Sequence, residues 1–144
     1  MKPPKDYPQV LIVEDDPNDV AVAMRAFRRH KLDDKVEVMS SGAGALEYLR
    51  AAERGERPVP QVVFLDLKMD SIDGLQVLRE VRASRTTQHV PVVMISSSKR
   101  RTDIEASYRS GVNSFVIKRF DPDRPGEYLV DVARYWLDLN EGLP

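Results

Sequence analysis

The sequence contains no cysteine and only two histidines, which excludes several kinds of site. Without cysteine the chain can form no disulfide, no thiolate nucleophile and no thiolate zinc site. His30 and His89 lie far apart and lack the spacing of a metal-binding pair. The chain also has no apolar run of transmembrane length, and its first residues, MKPPKDYPQ, contain no hydrophobic signal-peptide region. We therefore expect a cytoplasmic protein.

Positively and negatively charged residues are nearly equal in number. Lysine and arginine number 22 and aspartate and glutamate 23, so the net charge of −1 gives no reason to expect binding to nucleic acid or to a membrane surface. The 144 residues, 42% of them hydrophobic, predict a single globular domain over residues 1–144. Its core is expected at about residues 9–137, between a short polar N-terminal arm and a C-terminal tail. We find no segment that resembles an output domain, so output is expected through protein contacts.

Short apolar runs alternate with segments of helical periodicity. The runs are VLIV (10–13), VEVM (36–39), VVFL (62–65), VVMI (92–95) and FVI (115–117). Their β-branched residues are typical of parallel strands covered on both faces. Ser41 is expected to cap the second helix, Gly111 to end the fourth, and Pro122 to lie near the start of the last. The alternation predicts an α/β, flavodoxin-like fold: a five-stranded parallel sheet of order 2-1-3-4-5 with five helices on both faces.

Acidic residues follow two strands that this order makes neighbours. Glu14, Asp15 and Asp16 follow the first strand, and Asp66 follows the third. At the carboxyl edge of the sheet three or four of these carboxylates are expected to share one pocket and to repel each other. A divalent cation removes the repulsion, and an oxygen-only set of ligands favours Mg²⁺.

Two more polar side chains are expected at the same edge. Ser96 follows the fourth strand and Lys118 follows the fifth, so four of the five strands end in a group that fits one site. Each residue alone has an ordinary explanation, for example a helix cap for Asp16 or a solvated ammonium for Lys118. The combination is what indicates a functional site.

The blocks VLIVEDDPND, VVFLDLKMDSIDG, VVMISSS and FVIKRF together resemble the receiver domain of two-component response regulators. This resemblance implies that Asp66 accepts a phosphoryl group from a sensor histidine kinase in a Mg²⁺-dependent reaction. It implies that Glu14, Asp15 and Asp66 hold the metal, together with the backbone carbonyl of Lys68.

The same resemblance assigns roles to residues around the acceptor. Ser96 matches the hydroxyl residue that bonds the phosphoryl group, Lys118 the lysine that pairs with it, and Phe115 the aromatic whose burial reports activation. Lys68 and Ser98 occupy the variable positions that, in receivers, tune the loss of the phosphoryl group. We expect Lys68 to alter phosphoryl lifetime.

The C-terminal region resembles that of single-domain regulators paired with bacterial phytochromes, on the basis of the tail YWLDLNEGLP and the loop ERGERPVPQ. A phytochrome kinase and a homodimer are therefore expected partners. Tyr128, Tyr135 and Leu139 widen the apolar face of the last helix to roughly 200°, which favours a dimer surface there. The alternative is that the tail folds back and covers this face.

Two positions depart from the receiver pattern. Asp70 and Arg119 stand where receivers commonly have proline, and the second of these prolines usually follows a cis peptide bond. A non-proline cis bond costs ~2.5–4 kcal/mol, so either the fold tolerates it or the loop runs trans. A phosphatase that uses an aspartyl phosphate would need a second acid at position 68, where Lys68 stands. The remaining alternative is a phosphorylation-independent receiver that acts as a binding module.

Overall fold

A computed structural model describes residues 8–144, in which five parallel strands and five helices alternate along the chain. Most of the expected N-terminal arm therefore lies outside the described residues. The strands and helices are β1 (Val10–Val13), α1 (Pro17–Arg29), β2 (Val36–Met39), α2 (Gly42–Glu53), β3 (Val62–Asp66), α3 (Gly74–Ala83), β4 (Val92–Ser96), α4 (Arg101–Arg109), β5 (Ser114–Ile117) and α5 (Glu127–Arg134). A 3₁₀ turn (Asp33–Lys35) precedes β2, and a π-helical segment (Tyr135–Leu139) continues α5.

The sheet has the strand order β2-β1-β3-β4-β5, as the sequence predicts, and all its pairs are parallel. β1 and β3 lie side by side, with Ile12 opposite Phe64. All residues of β1, β3 and β4 are buried, whereas β2 and β5 are half-buried, as expected for edge strands. β3 and β4 extend one residue beyond the apolar runs, so Asp66 and Ser96 are the last residues of their strands.

Two hydrophobic layers hold the helices against the sheet. One layer packs Tyr48 and Leu49 of α2 with Val77 and Leu78 of α3. The other packs Phe27 of α1 with three residues of α5 (Leu129, Val130 and Ala133). α4 has one buried residue, so it is held mainly by polar contacts. Within residues 8–144, none of the helices combines the length and apolar character needed to cross a membrane.

Two side-chain caps and one glycine lie at helix boundaries where the sequence places them. Asp16 caps α1, where its carboxylate accepts a hydrogen bond from the backbone N–H of Asn18 at 2.8 Å. Ser41 caps α2, and its hydroxyl accepts from the N–H of Gly44 at 3.0 Å. Gly111, with a positive φ of 101°, lies just beyond the end of α4. These three positions agree with the sequence analysis.

Pro122, expected near the start of the last helix, lies in the loop before it and not in its first turn. α5 begins at Glu127, after Gly126 with a φ of 76°. The side chain of Asp121 accepts hydrogen bonds from the backbone N–H groups of Asp123 and Arg124 at 3.0 and 3.2 Å. These bonds resemble those of a helix cap, but the turn does not continue into a helix, because Pro125 disfavours helical dihedrals at Arg124 and Gly126 has a positive φ.

Gly74 allows α3 to begin against the end of β3. A Cβ atom at this position would lie 2.3 Å from the carbonyl oxygen of Asp66 and 2.9 Å from the Cα of Leu67. Backbone atoms cannot yield as a flexible side chain can, so any other residue would push α3 away from the acid-bearing strand.

We expect Gly74→Ala to lower the free energy of unfolding by roughly 1–3 kcal/mol, since overpacking here must move backbone. Urea denaturation monitored by circular dichroism measures the change. Gly142→Ala is the matched control, because a Cβ there meets nothing within 4 Å. Equal stability of the two variants would show that the close approach at Gly74 is unimportant.

Candidate functional site

Three carboxylates meet at the carboxyl edge of the sheet. Glu14 and Asp15 follow β1, and Asp66 ends the adjacent β3. Their ligand oxygens all lie within 4.8 Å of one another. Glu14 and Asp66 are buried, with exposed fractions of 6% and 7%, whereas Asp15 is half-buried. The strand order thus joins residues from two separate parts of the chain into one acidic cluster.

Lys118, directly after β5, reaches into this cluster. Its Nζ donates to Glu14 Oε1 and to Asp19 Oδ2, both at 2.7 Å, and lies 3.6 Å from Asp66 Oδ1. The backbone N–H of Lys118 also donates to the carbonyl of Ser96 at 2.8 Å. The described residues contain no cis peptide bond, so the Lys118–Arg119 bond is trans. The trans loop still brings the ammonium to the acids.

The pKa values of the cluster reflect its crowding. Burial, with the neighbouring Asp66, raises the pKa of Glu14 to about 8, although Lys118 opposes the shift. Burial lowers the pKa of Lys118, but its hydrogen bonds to Asp19 and Glu14 outweigh this and raise it overall. The lysine therefore stays charged, while its single positive charge does not balance the surrounding carboxylates.

The donor set fits a hard divalent cation. All the candidate ligand atoms of Glu14, Asp15 and Asp66 are carboxylate oxygens, and they are close enough to bind one ion. Asp15 is held in place because its Oδ2 accepts a hydrogen bond from the backbone N–H of Asp70 at 3.3 Å. Asp16 is exposed and serves as the cap of α1, so it does not join the cluster.

Ser96 lies at the same edge, at the end of β4 next to β3. It is buried, and its hydroxyl oxygen accepts a hydrogen bond from the backbone N–H of Ser98 at 3.1 Å. Phe115 lies on β5 opposite Met94 and packs, half-buried, against the α2–α3 layer of the core. Ser96 is therefore placed beside the acids, and Phe115 is placed on the adjoining strand.

Two acidic residues that the sequence analysis missed belong to the surroundings of the site. Asp19, in the first turn of α1, shares Lys118 with Glu14. Asp103, in the first turn of α4, contacts both Lys68 and Ser98. Acids are common in the first turn of a helix, where they interact favourably with the helix dipole. Nothing in the sequence therefore marked either residue as part of a site.

The predicted dimer residues divide into two groups. Tyr135 and Leu139 are exposed, at 47% and 76%, on the segment that continues α5. Tyr128 is half-buried and packs against the α1–α5 layer of the core. The tail does not cover Tyr135 and Leu139, contrary to the alternative considered from the sequence.

Comparison with known proteins agrees with this arrangement. Residues 10–129 match the family described as the response regulator receiver domain. The chain is 34% identical over 131 residues to the probable methanogenesis regulatory protein FilR2 of Methanothrix harundinacea, covering 91% of this chain and 84% of that protein.

Two solved structures of phytochrome-associated regulators are also similar. The phosphorylated cyanobacterial phytochrome response regulator RcpA superposes with a TM-score of 0.84 at 26% identity, covering 96% of this chain and 99% of that one. The bacteriophytochrome response regulator AtBRR gives a TM-score of 0.69 at 38% identity, covering 96% of this chain and 100% of that one. On the match over residues 10–129 and the likeness to FilR2, the chain belongs to the response regulator receiver domain family.

Proposed function

We propose that this chain is a stand-alone response regulator that accepts a phosphoryl group from a sensor histidine kinase on Asp66. The observation that carries this proposal is the position of Asp66: a buried carboxylate at a strand end, 3.6 Å from an ammonium and beside two further acids. A buried acid at this edge has no evident structural purpose, since it costs free energy and caps no helix.

In the proposed transfer step Asp66 is the nucleophile. A carboxylate oxygen of Asp66 attacks the phosphorus of a phosphohistidine, a P–O bond forms, and the P–N bond breaks with its electron pair returning to the imidazole. Lys118 is placed to attract the phosphoryl oxygens as their charge shifts. Loss of the group is the attack of water on phosphorus, which releases inorganic phosphate and restores the carboxylate.

Mg²⁺ is the cofactor we propose for this step. Glu14, Asp15 and Asp66 would hold it, together with the backbone carbonyl of Lys68. When bound, the ion supplies positive charge that neutralises the donor's phosphoryl oxygens and the acid cluster.

Signalling would proceed through Ser96 and the elements after β4. The hydroxyl oxygen of Ser96 accepts from the Ser98 N–H, and its hydrogen is left to donate to a new phosphoryl oxygen. α4 follows directly and has only one buried residue, so its displacement costs little. Phe115, half-buried on the next strand, would become more buried when Ser96 and α4 move.

The partners we propose are a phytochrome kinase in the cytoplasm, a second copy of this chain and a downstream protein. The kinase is supported by the likeness to RcpA and AtBRR. The second copy is supported by the exposed Tyr135 and Leu139, since Tyr135 lies in a groove with Ser114 and Val116 of the edge strand β5. The half-buried Tyr128 is the third residue proposed for this contact.

A phosphorylation-independent binding module is the alternative. Such receivers usually lack the acceptor, an acid of the pair or the lysine, whereas Asp66, Glu14, Asp15 and Lys118 are all present here. Whether Asp66 can be phosphorylated distinguishes the response regulator from the binding module.

We expect the protein to gain the mass of one phosphoryl group when it is incubated with Mg²⁺ and phosphoramidate, whose P–N bond resembles that of phosphohistidine. Intact-mass spectrometry measures the gain, which we expect to be lost in Asp66→Asn and when Mg²⁺ is chelated. Asp16→Asn is the control, because that acid lies outside the cluster. A folded wild-type protein that gains no mass would favour the binding module.

We expect Mg²⁺ alone to raise the thermal unfolding midpoint, because an ion that binds only the folded state stabilises it. At tenfold excess over the dissociation constant the gain is about 1.4 kcal/mol. Asp15→Asn should lose most of this gain and Asp16→Asn should keep it. Equal Mg²⁺ responses of the two variants would contradict the proposed ligand set.

We expect Leu139→Ser to weaken self-association by about tenfold or more, since burying a leucine contributes about 1.5–3 kcal/mol. Sedimentation equilibrium measures the dissociation constant. Phe120→Ser is the control, because this 91% exposed aromatic lies in the loop before α5 and lines a different groove from Tyr135. A monomeric wild-type protein, or equal effects of both variants, would exclude this dimer surface.

A further inference from the structure

Asp103 connects two loops that extend beyond the site. Its Oδ2 accepts a hydrogen bond from the hydroxyl of Ser98 at 2.5 Å, and its Oδ1 lies 3.4 Å from Nζ of Lys68. Lys68 lies two residues beyond the end of β3 and Ser98 two residues beyond the end of β4. The carboxylate therefore bridges the extensions of two neighbouring strands, directly beyond Asp66 and Ser96.

The bridge is also the main anchor of the start of α4. Arg100, the N-terminal flanking residue of α4, makes no side-chain cap, and its backbone N–H instead donates to the hydroxyl of Ser98 at 3.2 Å. The hydroxyl of Ser107, the buried residue of α4, donates to the backbone carbonyl of Asp103 at 2.8 Å. Ser98 thus holds α4 through both the Asp103 side chain and the Arg100 backbone.

Position and charge make Asp103 more than a helix-stabilising acid. Its side chain is 19% exposed, whereas the side chain of Lys68 is 67% exposed and has no other ion-pair partner among the described residues. Ser98 donates a hydrogen bond to the carboxylate, and Lys68 Nζ, of opposite charge, lies 3.4 Å from it. This ion pair keeps Lys68 turned towards α4.

We propose that Asp103 is a positioning residue that holds Lys68 and Ser98 together across the mouth of the site and thereby slows hydrolysis of the Asp66 phosphoryl group. This role rests on the proposed phosphorylation of Asp66. Water must reach phosphorus on the side opposite the Asp66 oxygen, because displacement is in line. Lys68 and Ser98 each lie two residues beyond the strand ends that carry Asp66 and Ser96, and Asp103 joins their side chains there.

The bridge would also link phosphoryl lifetime to the position of α4. A downstream protein that moves the first turn of α4 must move Asp103, and with it Lys68 and Ser98. Phosphoryl lifetime is then sensitive to what binds α4, and phosphorylation and binding influence each other reciprocally.

The test is the first-order loss of the phosphoryl group after removal of the donor, followed by intact-mass spectrometry. We expect Asp103→Ala to shorten the lifetime by about twofold to fivefold, the range that corresponds to loss of a partly exposed ion pair. Asp103→Asn keeps an acceptor for Ser98 and loses the charge, so its lifetime should be intermediate. Glu105→Ala is the matched control: it removes the same charge from the same helix, and its partner Arg101 lies at the exposed surface.

A double-mutant cycle distinguishes positioning from a general effect on the fold. If Asp103 acts through Lys68, then adding Asp103→Ala to Lys68→Ala should shorten the lifetime by a smaller factor than it does in the wild-type protein. An unchanged or longer lifetime in Asp103→Ala, an equal effect of Glu105→Ala, or full independence of the two substitutions would overturn the role of Asp103. A wild-type protein that takes up no phosphoryl group would overturn the proposed function itself, which is a separate result.

Discussion

The contact between the Lys118 ammonium and the acids of the site is the interaction on which the site depends. Parallel pairing of β1 and β3 forces Glu14 and Asp66 together in a buried position, where burial raises the pKa of Glu14 to about 8. Lys118 partly offsets that cost from the end of β5, two strands away from β3. The site therefore has an excess of negative charge, which the proposed Mg²⁺ ion would balance. Lys118 would face a phosphoryl group attached to Asp66.

The fold and the centre of the site could be predicted because both depend on local patterns. Apolar runs such as VVFL and VVMI mark strands covered on both faces, and the strict alternation with helices leaves few topologies. Once the strand order is known, an acid after β1 and an acid at the end of β3 must lie close together. Asp66, Glu14, Asp15 and Lys118 were identifiable in this way, since each directly ends or follows a strand.

The remaining features depend on contacts between distant parts of the chain. Asp19 and Lys118 are 99 residues apart, and Lys68 and Asp103 are 35 apart, so no spacing rule links them. Pro122 lies before the first turn of α5 for a different reason. Pro122 and the cap-like hydrogen bonds of Asp121 suit the first turn of a helix, but Pro125 and the positive φ of Gly126 end that turn before a helix can form. The sequence analysis weighed the favourable proline and not the breakers that follow it.

The central claim is that Asp66, among several clustered acids, is the residue that becomes phosphorylated. An acyl phosphate is reduced by borohydride to an alcohol, which converts the modified aspartate into homoserine, and peptide mass spectrometry then locates that residue. The account predicts homoserine at position 66 alone, after treatment with a phosphodonor and Mg²⁺. Homoserine at position 15 or 16, or none in a folded protein, would contradict it.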